Sequence, residues 1–250
     1  GCDLDIFAGD VKPWRPEQIK TDDLLAVFAG THGMANGLDA VLDAAAELKQ
    51  RGRDDIKLLL IGQGKLKPAL QARAQREALD CVVFHEPVNK SRLAGLMAST
   101  DVGLQVLANV PAFYFGTSPN KFFDYIAAGL PVLNNYPGWL AGMIRDNQCG
   151  FAVAPESPQA FADALEQVFL VERIAPGHAR FRLAGMHLHD LTGMEVRGMP
   201  MTALFAPDAR ARFSEAVEQV FTGPCVLDLW LEAERGLGKP ALEGRLILLP

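Results

Sequence analysis

The sequence predicts an α/β unit built on a parallel sheet over residues 1–167 and a smaller α+β unit over 168–250. Three observations lead there. Between residues 24 and 169, apolar runs of strand length alternate with amphipathic helical stretches. The runs are continuously apolar rather than alternating, as strands covered on both faces require. Beyond about Phe169 the alternation stops, and strand-like and helical segments follow one another without a βα rhythm.

In chain order, "LLAVFAG" (24–30) is the first strand, closed by Gly30, and "GLDAVLDAAAELKQRG" (37–52) carries apolar residues at helical spacing. "IKLLLIGQG" is the next strand, with a helix over Lys67–Leu79. "CVVFHEPV", a helix over Ser91–Ser99 and the strand "DVGLQVL" come after it. "GTSPNKFFDYIAAGLPVLNN" (116–135) supplies a helix with Ser118 as its cap and Pro119 as its first residue, then a strand. "GWLAGMIRDNQCG", "FAVAP" and a helix from Ser157 to about Phe169 close the series. In the second unit "RFRLAG", "CVLDLWLEAE" and "ALEGRLILLP" read as strands around the helical "DARARFSEAVEQVF". "FADALEQVF" (161–169) is echoed by "FSEAVEQVF" (213–221), but the flanks do not repeat, so an internal duplication is not the reading.

Composition narrows the function classes. With 49% hydrophobic and 22% charged residues the chain is globular, and a net charge of −6 gives no reason to expect nucleic acid as a partner. No apolar run approaches the ~20 residues of a membrane span. Cys2, Cys81, Cys149 and Cys225 are isolated, without zinc-site spacing, which suits a reducing cytoplasm. His187 and His189 point to different faces of a helix, so no metal and no cofactor is expected. Met186, Leu188, Leu191, Met194 and Met199 read as core of the second unit. Eight of the nine lysines and every asparagine and tyrosine precede residue 170, whereas eight of the fifteen arginines follow it. Such a shift fits halves of different genetic origin.

Ligands of open parallel sheets bind beyond the carboxyl ends of the strands. Those ends are the loops 30–37, 62–65, 85–89, 108–120 and 134–138. Lys121 stands out among them. A lysine in the first turn of a helix is mildly unfavourable, by roughly 0.3–1 kcal/mol, unless an anion lies between it and the helix terminus. Two readings stand side by side: a phosphate clasped by Lys121 and the free first-turn N–H groups, or a solvated Lys121 paired with Asp124.

The motifs "VFAGTHGMANGLDAVLDAAAELK", "KLLLIGQG", "VVFHEPV", "TDVGLQVL", "TSPNKFFDYIAAGLPVLNN" and "CGFAVAP" resemble, in order and spacing, the C-terminal donor domain of GT-B glycosyltransferases of family 4, in the branch that builds bacterial surface polysaccharides. The resemblance implies a Rossmann-like half that binds a nucleotide-diphosphate sugar, usually UDP-linked, for retaining transfer. It implies a lipid-linked acceptor at the cytoplasmic membrane face and a separate acceptor-binding domain; "GCDLDIF" resembles the connection to that domain. Lys121 becomes the catalytic cation that stabilises the leaving diphosphate. Gly30, Thr31, Asn36, Gly37, Ser118, Asn120, Lys121 and Asp124 become diphosphate and ribose contacts. Phe84, His85, Val88, Asn135 and Gly138 become the nucleobase and sugar rim. Two departures accompany the match. Thr31, His32 and Asn36 stand where many relatives carry an arginine and a lysine, and Gly116 falls where the first of two glutamates meets the donor sugar. Gln63 and Lys65 are weaker pocket candidates, with Lys65 a solvated helix-start residue.

Residues 168–250, on "FLVERIAPGHARFRLAGMHLHDLTGMEVRGMPMTALFAP" and "LEGRLILLP", resemble an alphaproteobacterial PAS-like domain that stops before its last strand. That resemblance implies a sensory or interaction role and self-association. The alternatives to donor binding are therefore an interaction protein acting through the second unit, or a join of two unrelated genes without integrated function.

Overall fold

The computed structural model describes residues 4–8, 11–223, 225–233 and 243–248. Cys2 and the start of "GCDLDIF", the ends of the 241–250 strand and the Met186 side chain lie outside the described residues. The chain forms two compact units, Gly1–Glu166 and Gln167–Pro250.

In the first unit, strands β1 (Leu24–Ala29), β2 (Ile56–Ile61), β3 (Val82–His85), β4 (Val102–Gln105), β5 (Val132–Asn134) and β6 (Gly150–Ala152) form one parallel sheet. Their order is β3-β2-β1-β4-β5-β6. Helices α1 (Asp5–Ala8), α2 (Asp39–Gln50), α3 (Lys67–Arg76), α4 (Lys90–Met97), α5 (Pro111–Gly116), α6 (Asn120–Ala127), α7 (Trp139–Asp146) and α8 (Pro158–Glu166) accompany it. Leu24 to Phe28 are wholly buried in β1, as are Leu58 to Leu60 in β2. Each such Leu, Val or Phe contributes about 1.5–3 kcal/mol as an upper estimate, which makes these central strands the anchor of the unit.

The order reverses between β1 and β4, the switch point beyond whose strand ends sheets of this kind form a crevice, between the loops that leave the two strands. Helix α6 is locked beside it. The Tyr125 hydroxyl donates to the Val27 carbonyl at 3.0 Å and accepts from the Ala29 N–H at 3.1 Å. The ring lies so close to β4 that a Cβ on Gly103 would stand 2.4 Å from it. Only a glycine strand residue lets this helix approach.

At the amino ends, three arginines tie the chain together. Arg15 donates to Asp101 (3.1 Å) and to the carbonyls of Ser99, Lys20 and Asp23, while Asp101 also accepts the Leu25 N–H. Arg53 pairs with Asp55 and Glu166, and Arg51 with Glu47, Asp163 and Glu166, which fastens the end of α8 to the turn before β2.

Three local expectations change. Helix α6 begins at Asn120 with Pro119 in the cap position (φ −78°, ψ 118°) and no side-chain cap; Ser118 is exposed one residue further out. The segment between β4 and α6 is not wholly loop but contains α5, started by Pro111. Helix α8 stops at Glu166, and Phe169 already belongs to a strand.

The second unit holds two antiparallel pairs: β7 (Phe169–Ala175) with β8 (His178–Ala184), and β9 (Leu227–Glu232) with β10 (Glu243–Leu248). Helices α9 (Met186–Thr192) and α10 (Pro207–Thr222) complete it. Phe181, Leu183, Val196, Met201, Phe213, Val217 and Leu248 are buried. Leu188 and Met199 pack against this core, but Leu191 and Met194 are exposed, contrary to the sequence expectation. Both flank Gly193, the left-handed residue that ends α9 and turns the chain outward.

Candidate functional site

The β1–α2 loop is the floor of the crevice. Its backbone is laced to the β2–α3 loop, with the His32 N–H donating to Gln63 (2.9 Å) and the Leu66 N–H donating to His32 (3.0 Å). Gly37 closes the loop in the left-handed region (φ 54°), where a Cβ would lie 2.6 Å from the Ala108 backbone. That contact fixes the loop against the segment after β4.

Lys121 does not reach into open water. It folds back along α6 until Nζ stands 3.9 Å over the Phe28 ring, beside Gly30, and donates to Asn36 Oδ1 at 3.2 Å. Among the described residues no carboxylate pairs with it. Burial alone pushes the ammonium down to about 7 from an ordinary 10.5. The Lys121–Asp124 pair considered from the sequence does not form: Asp124 instead lines a small depression with Ile6, Phe7, Lys90 and Leu93.

Behind Lys121, His32 is fully buried with both ring nitrogens unpartnered. Its ring sits 6.2 Å from both Phe28 and Phe84. Burial first, then the charges of Lys67 and Lys121, hold it below the ordinary imidazole value. Gln105 Oε1 and Asn134 Oδ1, at the ends of β4 and β5, are likewise buried without a partner. Orphaned buried polar atoms are rare in native proteins; here they gather at the carboxyl ends of adjacent strands.

Of the residues singled out from sequence, Gly30, Thr31, Asn36 and Lys121 come together, Thr31 through its carbonyl, which accepts from Asn36 Nδ2 at 2.6 Å. Asn120 is exposed at the start of α6. Phe84 reaches the group through His32. His85 turns away: Nδ1 donates to the Glu86 carbonyl at 2.7 Å and the ring lies 5.5 Å from Trp14, while Val88 packs into the core. Asn135 is engaged with both polar backbone atoms of Leu107. With Gly37, Asn109 and Glu156 it lines a separate cleft of about 240 Å³. Gly138 caps α7 against Tyr114. The chosen residues therefore divide between the Lys121 crevice and this cleft, with Asp124 apart from both. Gln63 and Lys65 are exposed.

Lys67 escaped the sequence reading. It is buried, bonds the carbonyls of Gly62 (2.9 Å) and His85 (3.1 Å), and pairs with Glu86 at 2.7 Å. Its signal was present: Lys67, Leu70 and Ala74 share the buried face of α3. Among the described residues no group of three or more His, Cys, Asp or Glu side chains is placed to hold a metal ion, and no helix is long and apolar enough to cross a membrane.

A parallel sheet with a polar crevice at its switch point defines the Rossmann-like class, and comparison with known proteins narrows it. Residues 23–170 match the family of glycosyl transferases group 1, and residues 154–250 match the PAS domain family. The D-inositol 3-phosphate glycosyltransferase of Streptomyces griseus is 32% identical over 175 residues, covering 64% of this chain and 36% of that protein. Its counterpart in Paenarthrobacter aurescens is 30% identical over 178 residues, covering 68% and 41%. The chain thus spans about two fifths of the length of these curated relatives. Among solved structures, sucrose-phosphate synthase from Thermosynechococcus elongatus superposes with a TM-score of 0.52 at 18% identity, over 66% of this chain and 41% of that one. Anabaena HepE in complex with UDP-glucose superposes with a TM-score of 0.52 at 15% identity, over 88% and 51%; both share the fold. The chain belongs to the group 1 glycosyltransferases: its first unit is the Rossmann-like C-terminal half of a GT-B fold, and a PAS-like domain follows.

Proposed function

We propose that the first unit binds a nucleotide-diphosphate sugar, UDP-linked, as the donor half of a retaining glycosyltransferase. The observation that supports this most is the half-buried Lys121 ammonium, turned onto the glycine-rich loop with no carboxylate among the described residues to meet it. An anion is the missing partner, and a diphosphate between the α6 N-terminus and residues 30–37 would supply it. Developing charge on a leaving nucleoside diphosphate is what a fixed cation there stabilises. Gly30, Thr31, Asn36, Gly37, Ser118 and Asn120 are the residues proposed to contact the diphosphate. Asp124 is proposed for ribose and Phe84, His85 and Val88 for the base. Of these, Phe84 meets the Lys121 group through His32, whereas Asp124 lies apart, His85 turns away and Val88 packs into the core, so the ligand would have to draw them in. Asn135 and Gly138 lie toward the sugar side. The family match and the UDP-bound state of HepE support the nucleotide class. Transfer to an acceptor, and a lipid-linked acceptor at the cytoplasmic membrane face for polysaccharide synthesis, are proposed for the fuller-length protein.

Thermal unfolding tests the reading. At about 100 times its dissociation constant, UDP or UDP-glucose adds about 2.7 kcal/mol to the unit that binds it, and Lys121→Met removes the shift. Absence of any shift at millimolar nucleotide sinks it.

A second reading, self-association of the PAS-like unit, has one observation in favour. Trp230 is 77% exposed on the outer face of β9, with the Arg245 guanidinium 5.5 Å over its ring. Sedimentation of Trp230→Ser against the parent chain decides it: an unchanged molecular weight at all concentrations in both ends this reading.

A further inference from the structure

Buried ammonium groups are ordinarily neutralised by a carboxylate, since burying an unpaired charge is costly. Lys67 follows that rule through Glu86. Lys121 departs from it, and the departure is made by one side chain. Asn36 presents its amide oxygen to Lys121 at 3.2 Å while its Nδ2 donates to the Thr31 carbonyl at 2.6 Å. A carbonyl only accepts and an ammonium only donates, so both contacts together fix the amide orientation. The residue ends a single 3₁₀ turn (Met34–Asn36), and the next residue, Gly37, is pinned against Ala108. Asn36 is therefore held from both sides, and it contributes a dipole where an aspartate of the same shape would contribute a charge.

We propose that Asn36 is a positioning residue that tethers Lys121 in the crevice without neutralising it, so that the anion completing the pair must come from the ligand. This rests on the donor-binding reading and deepens it by assigning Asn36 a role in it. The surroundings agree. The titratable groups gathered here are Lys121 from α6, His32 from the β1–α2 loop, Lys67 from α3 and Glu86 after β3, and the single carboxylate is committed to Lys67. Asp124, on α6 itself, lines the depression that Lys90 also lines. Both His32 nitrogens are unpartnered, so among the described residues no anion bonds the imidazole either. An incoming phosphate then charges Lys121, and binding takes up a proton above pH 7.

The experiment compares Asn36→Asp and Asn36→Ala with the parent chain in two measurements. The first is an NMR titration of the lysine ¹³Cε signals without ligand, with Lys121 assigned through Lys121→Met. The second is calorimetric affinity for UDP between pH 7 and 9. In the parent, affinity falls up to about tenfold per pH unit, the limit for one linked proton. In Asn36→Asp the internal carboxylate raises the Lys121 midpoint by about 1–3 units, lowers UDP affinity tenfold or more at pH 7 and flattens the pH dependence. Asn36→Ala, which removes the tether without adding an anion, weakens UDP several-fold and keeps the pH slope; it carries the test if the aspartate variant does not fold. A purely structural asparagine would lose stability in both variants without separating their pH profiles. UDP affinity and slope unchanged in Asn36→Asp, or in Asn36→Ala where that variant carries the test, overturn the proposal while leaving donor binding intact. If the parent binds no UDP, the donor reading fails, and the ligand-free titration alone decides: an unmoved Lys121 midpoint in Asn36→Asp overturns the tether, and a raised one sustains it.

Discussion

At the amino end of the parallel sheet, Arg53 is 4% exposed and meets Asp55 at 2.8 Å and Glu166 at 3.0 Å, with Arg51 sharing the second carboxylate. At the carboxyl end, Lys121 is half-buried over Phe28 and, among the described residues, only the Asn36 amide oxygen accepts from it. The same unit thus holds one cation fully compensated and another left uncompensated. The first arrangement is what stability favours: the charge is desolvated, and the hydrogen bonds around it repay much of that cost. The second costs stability and is retained where strand ends and the β1–α2 loop form a crevice, the pattern of a site that stores strain for a ligand.

The largest expected effect lies at the compensated end. Arg53→Met removes the bidentate guanidinium from Asp55 and one of the two arginines from Glu166. Breaking a buried pair by removing one member costs about 3 kcal/mol or somewhat more. Urea unfolding followed by far-UV circular dichroism should show that loss in the first unit, while UDP affinity at the distant carboxyl end stays within a factor of two. A loss under 1 kcal/mol would show the two ends to be less different than their geometry.

The uncompensated end is read by pH. Lys121 titrates at about 7 in the folded chain and at 10.5 when unfolded. Between those values the unfolded chain binds the extra proton, so stability rises with pH across about 7 to 10.5, and this contribution is flat below 7. The slope is at most about 1.4 kcal/mol per pH unit. Cys81 and Cys149, whose thiols burial pushes up, act in the opposite direction at the alkaline end. The quantity to measure is therefore the difference between the parent chain and Lys121→Met. Saturating UDP should flatten the pH dependence of that difference by supplying the anion, while adding an offset in favour of the parent, the chain that binds it. A difference that is flat with pH would make Lys121 an ordinary solvated lysine.

The contrast between the two ends also describes what the sequence made legible. Continuous apolar runs such as "LLAVF" and "LLLI" announced strands because burial on both faces leaves no room for alternation. Lys121 was legible because a cation at a helix start is locally unfavourable. What escaped depended on tertiary partners. The word "EQVF" stays helical at 218–221, but at 166–169 the helix ends on Glu166, held by two arginines, and Phe169 turns into a strand to meet the Phe181 ring at 5.7 Å. No local pattern separates those fates. The cap moved from Ser118 to Pro119 because a proline with extended backbone ends the approach to the helix and needs no N–H partner. His32 looked like one more loop residue until the β2–α3 loop covered it, and Lys67 lay hidden on an otherwise apolar helix face.

The smallest effect tests whether the carboxyl end is open to a carboxylate at all. Gly116 ends α5, and a Cβ built there meets nothing within 4 Å, with no left-handed backbone to strain. Gly116→Glu should therefore change stability by less than about 0.5 kcal/mol. Its consequence for binding depends on where the new carboxylate settles. Directed at Lys121, it would act as the internal anion that Asn36 avoids being, and UDP and UDP-glucose would weaken together. Directed at the donor sugar, it adds a charged acceptor that only UDP-glucose can use, and a hydrogen bond of that kind is worth about 1.5 kcal/mol or more. The stretch Thr117–Pro119 stands between residue 116 and α6, and a side chain at 116 starts in open space, with no Lys121 atom within 4 Å of its Cβ. We therefore expect UDP-glucose affinity to rise several-fold relative to UDP, measured by calorimetry at pH 7. Equal weakening of both ligands would mean that Lys121 is reachable from α5, and that its uncompensated state depends on the glycine at 116 as well as on Asn36.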